Sequence, residues 1–200
     1  MVQAQPEPAA PEYTEEVAGV FSMQLYDPRD CRDLYEYAKA ADGWRAAPVY
    51  DEGGPNASAT MPVYRSARAL AFDATTAPGR DFDARMNRLV KPLINRLWRS
   101  DLRTHNATQL VRYAPGDHYV AHVDTIPGAD YRYFTVLCYL NDDFEGGHTT
   151  FPALRHSFAP RAGRALLFPA AYLHRAEPVV AGEKYVVVTW LCGPPPVRWF

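Results

Sequence analysis

The chain has 200 residues, 48% of them apolar, which suits one domain with a substantial core. Its 21 basic and 23 acidic side chains leave a net charge of -2, so the charge balance excludes no substrate but argues against a nucleic-acid or anionic-membrane partner. Three widely spaced cysteines, Cys31, Cys138 and Cys192, each in an apolar or helical setting, read as buried free thiols rather than a disulfide framework or zinc site.

The N-terminus has neither a basic start nor an apolar leader, and no apolar run is long enough to span a bilayer. The expectation is a soluble, cytoplasmic protein, monomeric or homodimeric. Prolines at 6, 8 and 11 and glutamates at 7, 12, 15 and 16 make residues 1–16 read as a disordered leader, leaving 17–200 as a single domain.

Asp27-Pro28 is an N-cap followed by proline at the first helical position, and Cys31, Leu34, Tyr35 and Ala38 then form one stripe of a surface helix ending at Gly43. Asp51 to Arg68, rich in Gly, Ser, Ala and Pro, reads as a long loop, either an ordinary surface loop or a lid. A second helix from near Asp81 repeats Phe82, Met86, Leu89, Val90, Leu93, Ile94, Leu97 and Trp98, with Pro92 placed to kink it. Its other face, Arg85, Arg88, Lys91, Arg96 and Arg99, reads as solvated.

From about residue 106 the texture changes to short β-rich runs: Thr108 to Tyr113, His118 to Val123, Tyr133 to Leu140, Arg164 to Phe168 and Lys184 to Cys192. Turn signals separate them at residues 114–117, 141–143, 146–147 and 181–182, with no helical pattern between as a βαβ fold requires. The expected class is α+β, mainly β: a jelly-roll core over about 106–192 supported by N-terminal helices.

Within "YVAHVDT", His122 and Asp124 stand two apart in a strand-like run, so both side chains project to one face while Val123 packs on the other. Taken alone, His-x-Asp is weak. His174, in a short β-like segment bounded by Pro169 and Pro178, is the best third ligand. Two imidazoles and one carboxylate make the facial triad of non-haem Fe(II) oxygenases, which leaves positions open for co-substrate and dioxygen. Ten residues beyond His174, Lys184 leads an inward-facing set with Val186, Val188 and Trp190, where burial of an ammonium calls for an anion such as a dicarboxylate.

The spaced set His122-x-Asp124, His174 and Lys184 resembles the Fe(II)/2-oxoglutarate-dependent dioxygenases, and within them the prolyl 4-hydroxylase-like group. The resemblance covers roughly Thr108 to Leu191, and "LVRYAPGDHYVAHVD", "TVLCYLNDDFEGGHTTFP" and "GRALLF" share in it. It implies a double-stranded β-helix (cupin-like) fold, with Fe(II), 2-oxoglutarate as co-substrate, dioxygen, and ascorbate as a stimulant. It also implies that Lys184 pairs with the distal carboxylate of 2-oxoglutarate, that Tyr139 hydrogen-bonds it, and that Tyr113 sits beside it near the metal. Thr135, Thr149 and Trp190 fall where that group lines its pocket. Two positions depart from the group: Val188 stands where relatives often have threonine, and His148 replaces a common glutamate.

The implied reaction hydroxylates an unactivated C–H of an amino acid, a peptidyl proline-like residue or a related small metabolite, releasing succinate and CO2. Arg65, Arg68, Tyr119 and Thr125 are candidate substrate residues, solvated arginines being the plain alternative for the first two. His118 reads as structural or as a pocket edge; His148 and His156 read as able to approach the site from loops, and His105 as standing away from it. Two other classes stay open on sequence: a cupin-like metalloenzyme without 2-oxoglutarate, which would need neither Lys184 nor Tyr139, and a non-catalytic metal-binding β module.

Overall fold

The computed structural model describes residues 11–50, 58–59, 61–125 and 131–194. The chain opens with β1 (Tyr13–Val17), β2 (Val20–Gln24) and α1 (Pro28–Ala40), then four two-residue strands, β3 (Arg45–Ala46), β4 (Val49–Tyr50), β5 (Ser58–Ala59) and β6 (Arg65–Ser66). After β7 (Arg68–Ala71), α2 (Ala77–Arg85) and α3 (Lys91–Trp98) are joined through a π turn at Met86–Val90. The long strands follow: β8 (Thr104–Tyr113), β9 (His118–His122) and β10 (Arg132–Tyr139). The remainder is β11 (Glu145–Gly146), β12 (Thr149–Phe151), β13 (His156–Phe158), β14 (Arg164–Pro169), β15 (His174–Ala176), β16 (Val179–Ala181) and β17 (Lys184–Cys192).

Asp27 accepts the Arg29 and Asp30 amides at 2.9 Å each and so starts α1, a cap that contributes about 1 kcal/mol. The buried stripe Cys31, Leu34 and Ala38 faces the sheet. The second helix begins earlier than its apolar pattern: Thr76 caps it by accepting the Gly79 amide at 3.1 Å, and Pro78 lies in its first turn. Gly79 looks like a breaker in sequence, yet only glycine fits, because a Cβ there would lie 1.6 Å from the Asp73 carbonyl oxygen. Pro92 lacks the amide that an α-helical ladder needs, and the widened turn before it, closed by the Lys91 amide on Met86 O, absorbs the defect.

Two members of the expected solvated face are built in. Arg85 binds Asp30, Asp81 and the Leu25 carbonyl and lies 4.3 Å over the Tyr26 ring. Lys91 is buried against Asn87 Oδ1 and the Arg103 carbonyl. Such partners are long-range or lie on the same helix one turn away, where periodicity carries no sign of them.

Eight strands form a major sheet in the order β1-β2-β14-β10-β17-β8-β7-β3, and five form a minor sheet, β13-β12-β15-β9-β6. Alternation runs along most of each long strand, with one shift at the start of β10. Phe134, Val136 and Cys138 of β10 and Tyr185, Val187 and Leu191 of β17 pack under the helices, while Leu137, Tyr139 and Val186 join Phe151, Phe158 and Phe168 between the sheets. This is the expected jelly roll, but its N-terminal support is not helical alone. Strand β2 pairs with β14, and β7 with β8, so the major sheet extends outside 106–192. The expected leader is cut short by β1, whose Tyr13, Thr14 and Glu15 pair with β2; residues 1–10 lie outside the described residues. In the expected loop from Asp51 to Arg68, Ser58–Ala59 pairs with β4 and Arg65–Ser66 joins the minor sheet, while residues 51–57 and 60 lie outside the described residues.

Candidate active site

The expected triad lies on the minor sheet. His122 ends β9 directly across from His174 of β15, and a register shift two residues earlier lets β9 bend. Asp124 is not in the strand, as the sequence pattern suggested, but just beyond its end. Its amide and that of Thr125 both donate to the Ala170 carbonyl, at 2.8 and 3.2 Å, and aim the carboxylate back at the two rings. Donor atoms of His122, Asp124 and His174 all lie within 4.8 Å of one another, with each Nε2 3.6 Å from an Asp124 oxygen.

The protonation pattern suits a cation. The Nδ1 atoms of His122 and His174 face the carbonyls of Val120 (2.8 Å) and Tyr172 (2.9 Å), which can only accept, so each ring carries its proton on Nδ1 and turns an Nε2 lone pair inward. Burial holds His174 well below the usual imidazole range, at about 4, against the opposing pull of Asp124. For Asp124, burial raises the carboxyl pKa, but the His174 and His122 rings and the Thr135 hydroxyl outweigh it and keep the group ionised. Thr135 donates to Asp124 Oδ2 at 2.6 Å, so the residue that the resemblance assigns to co-substrate also orients a ligand.

Lys184 and its aromatic neighbours lie on the major sheet. Lys184 is 1% exposed and donates to the Gly147 carbonyl at 2.6 Å, with Nζ 4.9 Å from the Tyr113 ring centre and 5.5 Å from that of Tyr139. Gly147 turns at φ +62°, and a Cβ there would stand 2.8 Å from the Phe144 ring and 3.1 Å from Lys184 Cδ. The Tyr139 hydroxyl pairs with Thr149 Oγ1 at 2.5 Å. On β10, Tyr139 and Thr135 share the inward face four residues apart, about 13 Å along the strand. Thr135 stands at the metal end opposite Trp190, and Tyr139 at the anion end opposite Val186.

Among the proposed substrate residues, Tyr119 stacks on the His122 ring (centroids 3.5 Å apart, planes 16° apart), and Arg65 lies 4.8 Å over Tyr119 and also reaches Tyr113. Thr125 instead donates to the Arg132 carbonyl at 3.0 Å, a brace between loop and strand. Arg68 does not join the site. It pairs with Arg112 on the opposite face of the major sheet from Tyr113 and points to the Trp44 carbonyl, 3.5 Å away. His118 sits between the Gly116 and Val63 carbonyls, His156 packs on Phe158, His148 is 3.5 Å from Ser157, and His105 meets Asp83 under the helices.

Arg132 escaped the sequence reading. Alternation from Phe134 points it toward the helices, but a register shift between the two turns it inward, with its guanidinium 3.8 Å over the Trp190 ring. Arg65 Nε, Arg132 Nε and Trp190 Nε1 are buried donors with no acceptor among the described residues, which is the usual mark of a place for a polar ligand.

Residues 108–192 match the 2OG-Fe(II) oxygenase superfamily. A protein of Acanthamoeba polyphaga mimivirus, named as a prolyl 4-hydroxylase, is 30% identical over 192 residues, covering 80% of this chain and 79% of its own. The chain belongs to the 2OG-Fe(II) oxygenase superfamily. Two solved structures share its fold: a Pseudomonas putida prolyl-4-hydroxylase (TM-score 0.72, 19% identity, 88% of this chain and 93% of that one) and a Trichoplax adhaerens prolyl hydroxylase in complex with a hypoxia inducible factor peptide fragment (TM-score 0.68, 18% identity, 87% and 83%). Enzymes of this superfamily use Fe(II), 2-oxoglutarate and dioxygen to hydroxylate their substrates. The two-nitrogen, one-carboxylate set and the buried lysine, which meets no carboxylate among the described residues, fit that iron and that diacid. Among the described residues no helix is long and apolar enough to cross a membrane.

Proposed function

We propose that this oxygenase hydroxylates an amino-acid or peptidyl substrate, proline-like in shape, with His122, Asp124 and His174 holding Fe(II) and Lys184 holding 2-oxoglutarate. The observation that carries the reading is the pairing of a complete triad on one sheet with a buried lysine on the facing sheet. Bound iron, with 2-oxoglutarate and dioxygen, supplies the oxidant that exchanges a C–H hydrogen for hydroxyl and leaves succinate and CO2.

The chain's own residues prepare that event. Carbonyls of Val120 and Tyr172 accept from the Nδ1 atoms and so aim both rings, Thr135 fixes the Asp124 carboxylate, and Lys184 anchors the far end of the diacid. Tyr139, tied to Thr149, and Tyr113 wall that end and exclude water. At the mouth, Arg132 on Trp190 and Arg65 on Tyr119 present guanidinium groups backed by aromatic rings, suited to carbonyl or carboxylate oxygens of the substrate. Exposed Met61, Val63 and Tyr64 precede β6, and the Tyr64 carbonyl accepts the Val120 amide, so an apolar surface adjoins the mouth, which favours a peptidyl substrate. Three buried free thiols suit a reducing compartment such as the cytoplasm.

Adding Fe(II) and 2-oxoglutarate anaerobically should produce a visible metal-to-ligand charge-transfer band, and proline-containing peptides in air should then raise succinate release. A protein that gives no band at any ratio of the two would sink the reading.

A further inference from the structure

The surroundings of Lys184 hold almost nothing that keeps it charged. From β8 it meets Tyr113, behind which lie Arg65, Asp117 and Asp124; from β10 it meets Tyr139, bound to Thr149 of β12; and the Gly147 carbonyl closes the remaining side. Burial pushes the acidity of both tyrosines to higher pH, so neither supplies an anion. Among the described residues no carboxylate lies within ion-pair distance of Nζ, and the side chain is 1% exposed. One neutral acceptor does not replace the water that an ammonium gives up, and a group so placed sheds its proton instead.

Resting on the function proposed above, we propose that 2-oxoglutarate enters this site together with a proton: the free site holds Lys184 as a neutral amine, and the occupied site holds an ammonium paired with the distal carboxylate. The step is balanced. Amine, one proton from solvent and one carboxylate become an ion pair, and no bond within the co-substrate changes. Burial brings the free Lys184 down to about 7. The carboxylate raises it again on binding, because it favours the charged form.

The sign follows from which state holds more protons. Below about pH 7 both free and occupied sites carry the proton, and 2-oxoglutarate affinity is flat. Above it only the occupied site does, so Kd rises about tenfold per pH unit until the pair itself titrates. Free arginine-like cations do not behave this way, because a guanidinium stays charged throughout.

The test is calorimetric titration of 2-oxoglutarate, without oxygen, into the full chain loaded with Mn(II), near pH 8, in phosphate and in Tris, whose ionisation enthalpies differ widely. The wild type should take up close to one proton per 2-oxoglutarate bound, and its Kd should climb between about pH 7 and 9. Lys184→Arg should bind with no such uptake and with a flat pH profile. Binding by the wild type with no buffer-dependent heat and a flat Kd overturns the inference, even if the variant fails to fold, and leaves the active-site assignment standing. Uptake that persists unchanged in Lys184→Arg overturns it as well, since the proton then goes elsewhere. Failure of 2-oxoglutarate to bind at any pH would overturn the assignment on which it rests, and the charge-transfer band would be missing too.

Discussion

The two sheets solve different problems. On the major sheet Tyr113, Tyr139 and Lys184 stand at the ends of long strands, β8, β10 and β17, of eight to ten residues each, and are held in place by burial among core side chains. On the minor sheet the triad of His122, Asp124 and His174 lies at the ends of strands of five and three residues, or just beyond, and His122 is only half-buried. There the aim of each donor comes from one hydrogen bond to a backbone carbonyl: His122 to Val120, His174 to Tyr172, and the Asp124 amide to Ala170. A long ladder holds its buried amine by surrounding it with rigid packing; a short one must fix every donor separately.

The sharpest break between the halves is a crossed pair of variants. Asp124→Ala should reduce both metal binding and succinate release to background, since two rings alone leave the cation short of its carboxylate. Lys184→Met should leave metal affinity within about twofold but weaken 2-oxoglutarate by about tenfold to a hundredfold, the range expected for a lost charge-assisted pair. Equal losses of metal affinity in the two variants, read by anaerobic metal titration, would mean that the halves are one unit. Thr135→Val probes the bridge between them: removing its bond to Asp124 should cost about tenfold in metal affinity, with the fold intact by circular dichroism. The smallest effect belongs to Arg68→Ala, expected to stay within about twofold of wild type in KM for any substrate, because Arg68 lies on the far face of the major sheet. A tenfold rise in KM would return it to the site.

Legibility followed the same division. The bounds of β17 are as its alternating apolar run gives them, and β8, β10 and β14 differ from theirs by one to four residues, because an interior strand's inward and outward sets are both written in sequence. On the minor sheet β9 was read to within one residue and β15 as a short β-like segment, but β6, β12 and β13 escaped, as two or three residues carry no period. So did β1 and β2, where Tyr13, Glu15 and Glu16 resemble leader more than strand, although Glu16 binds Ser22 and Arg164. Arg132 was invisible because a single register shift inverts the face that alternation assigns.

By itself, the sequence determined the chemistry: two histidines, an aspartate and a lysine at spacings that point to an iron site and an anion. Only the tertiary structure decided how those residues meet. It placed Asp124 outside its strand on a carbonyl 46 residues away in the chain, stacked Tyr119 on His122, and turned Arg132 toward Trp190 while leaving Arg68 outside. The reason is physical. Residue types and spacings record which groups a site needs, whereas bulges, strand ends and sheet-to-sheet contacts depend on partners far along the chain, whose pairing no local pattern encodes.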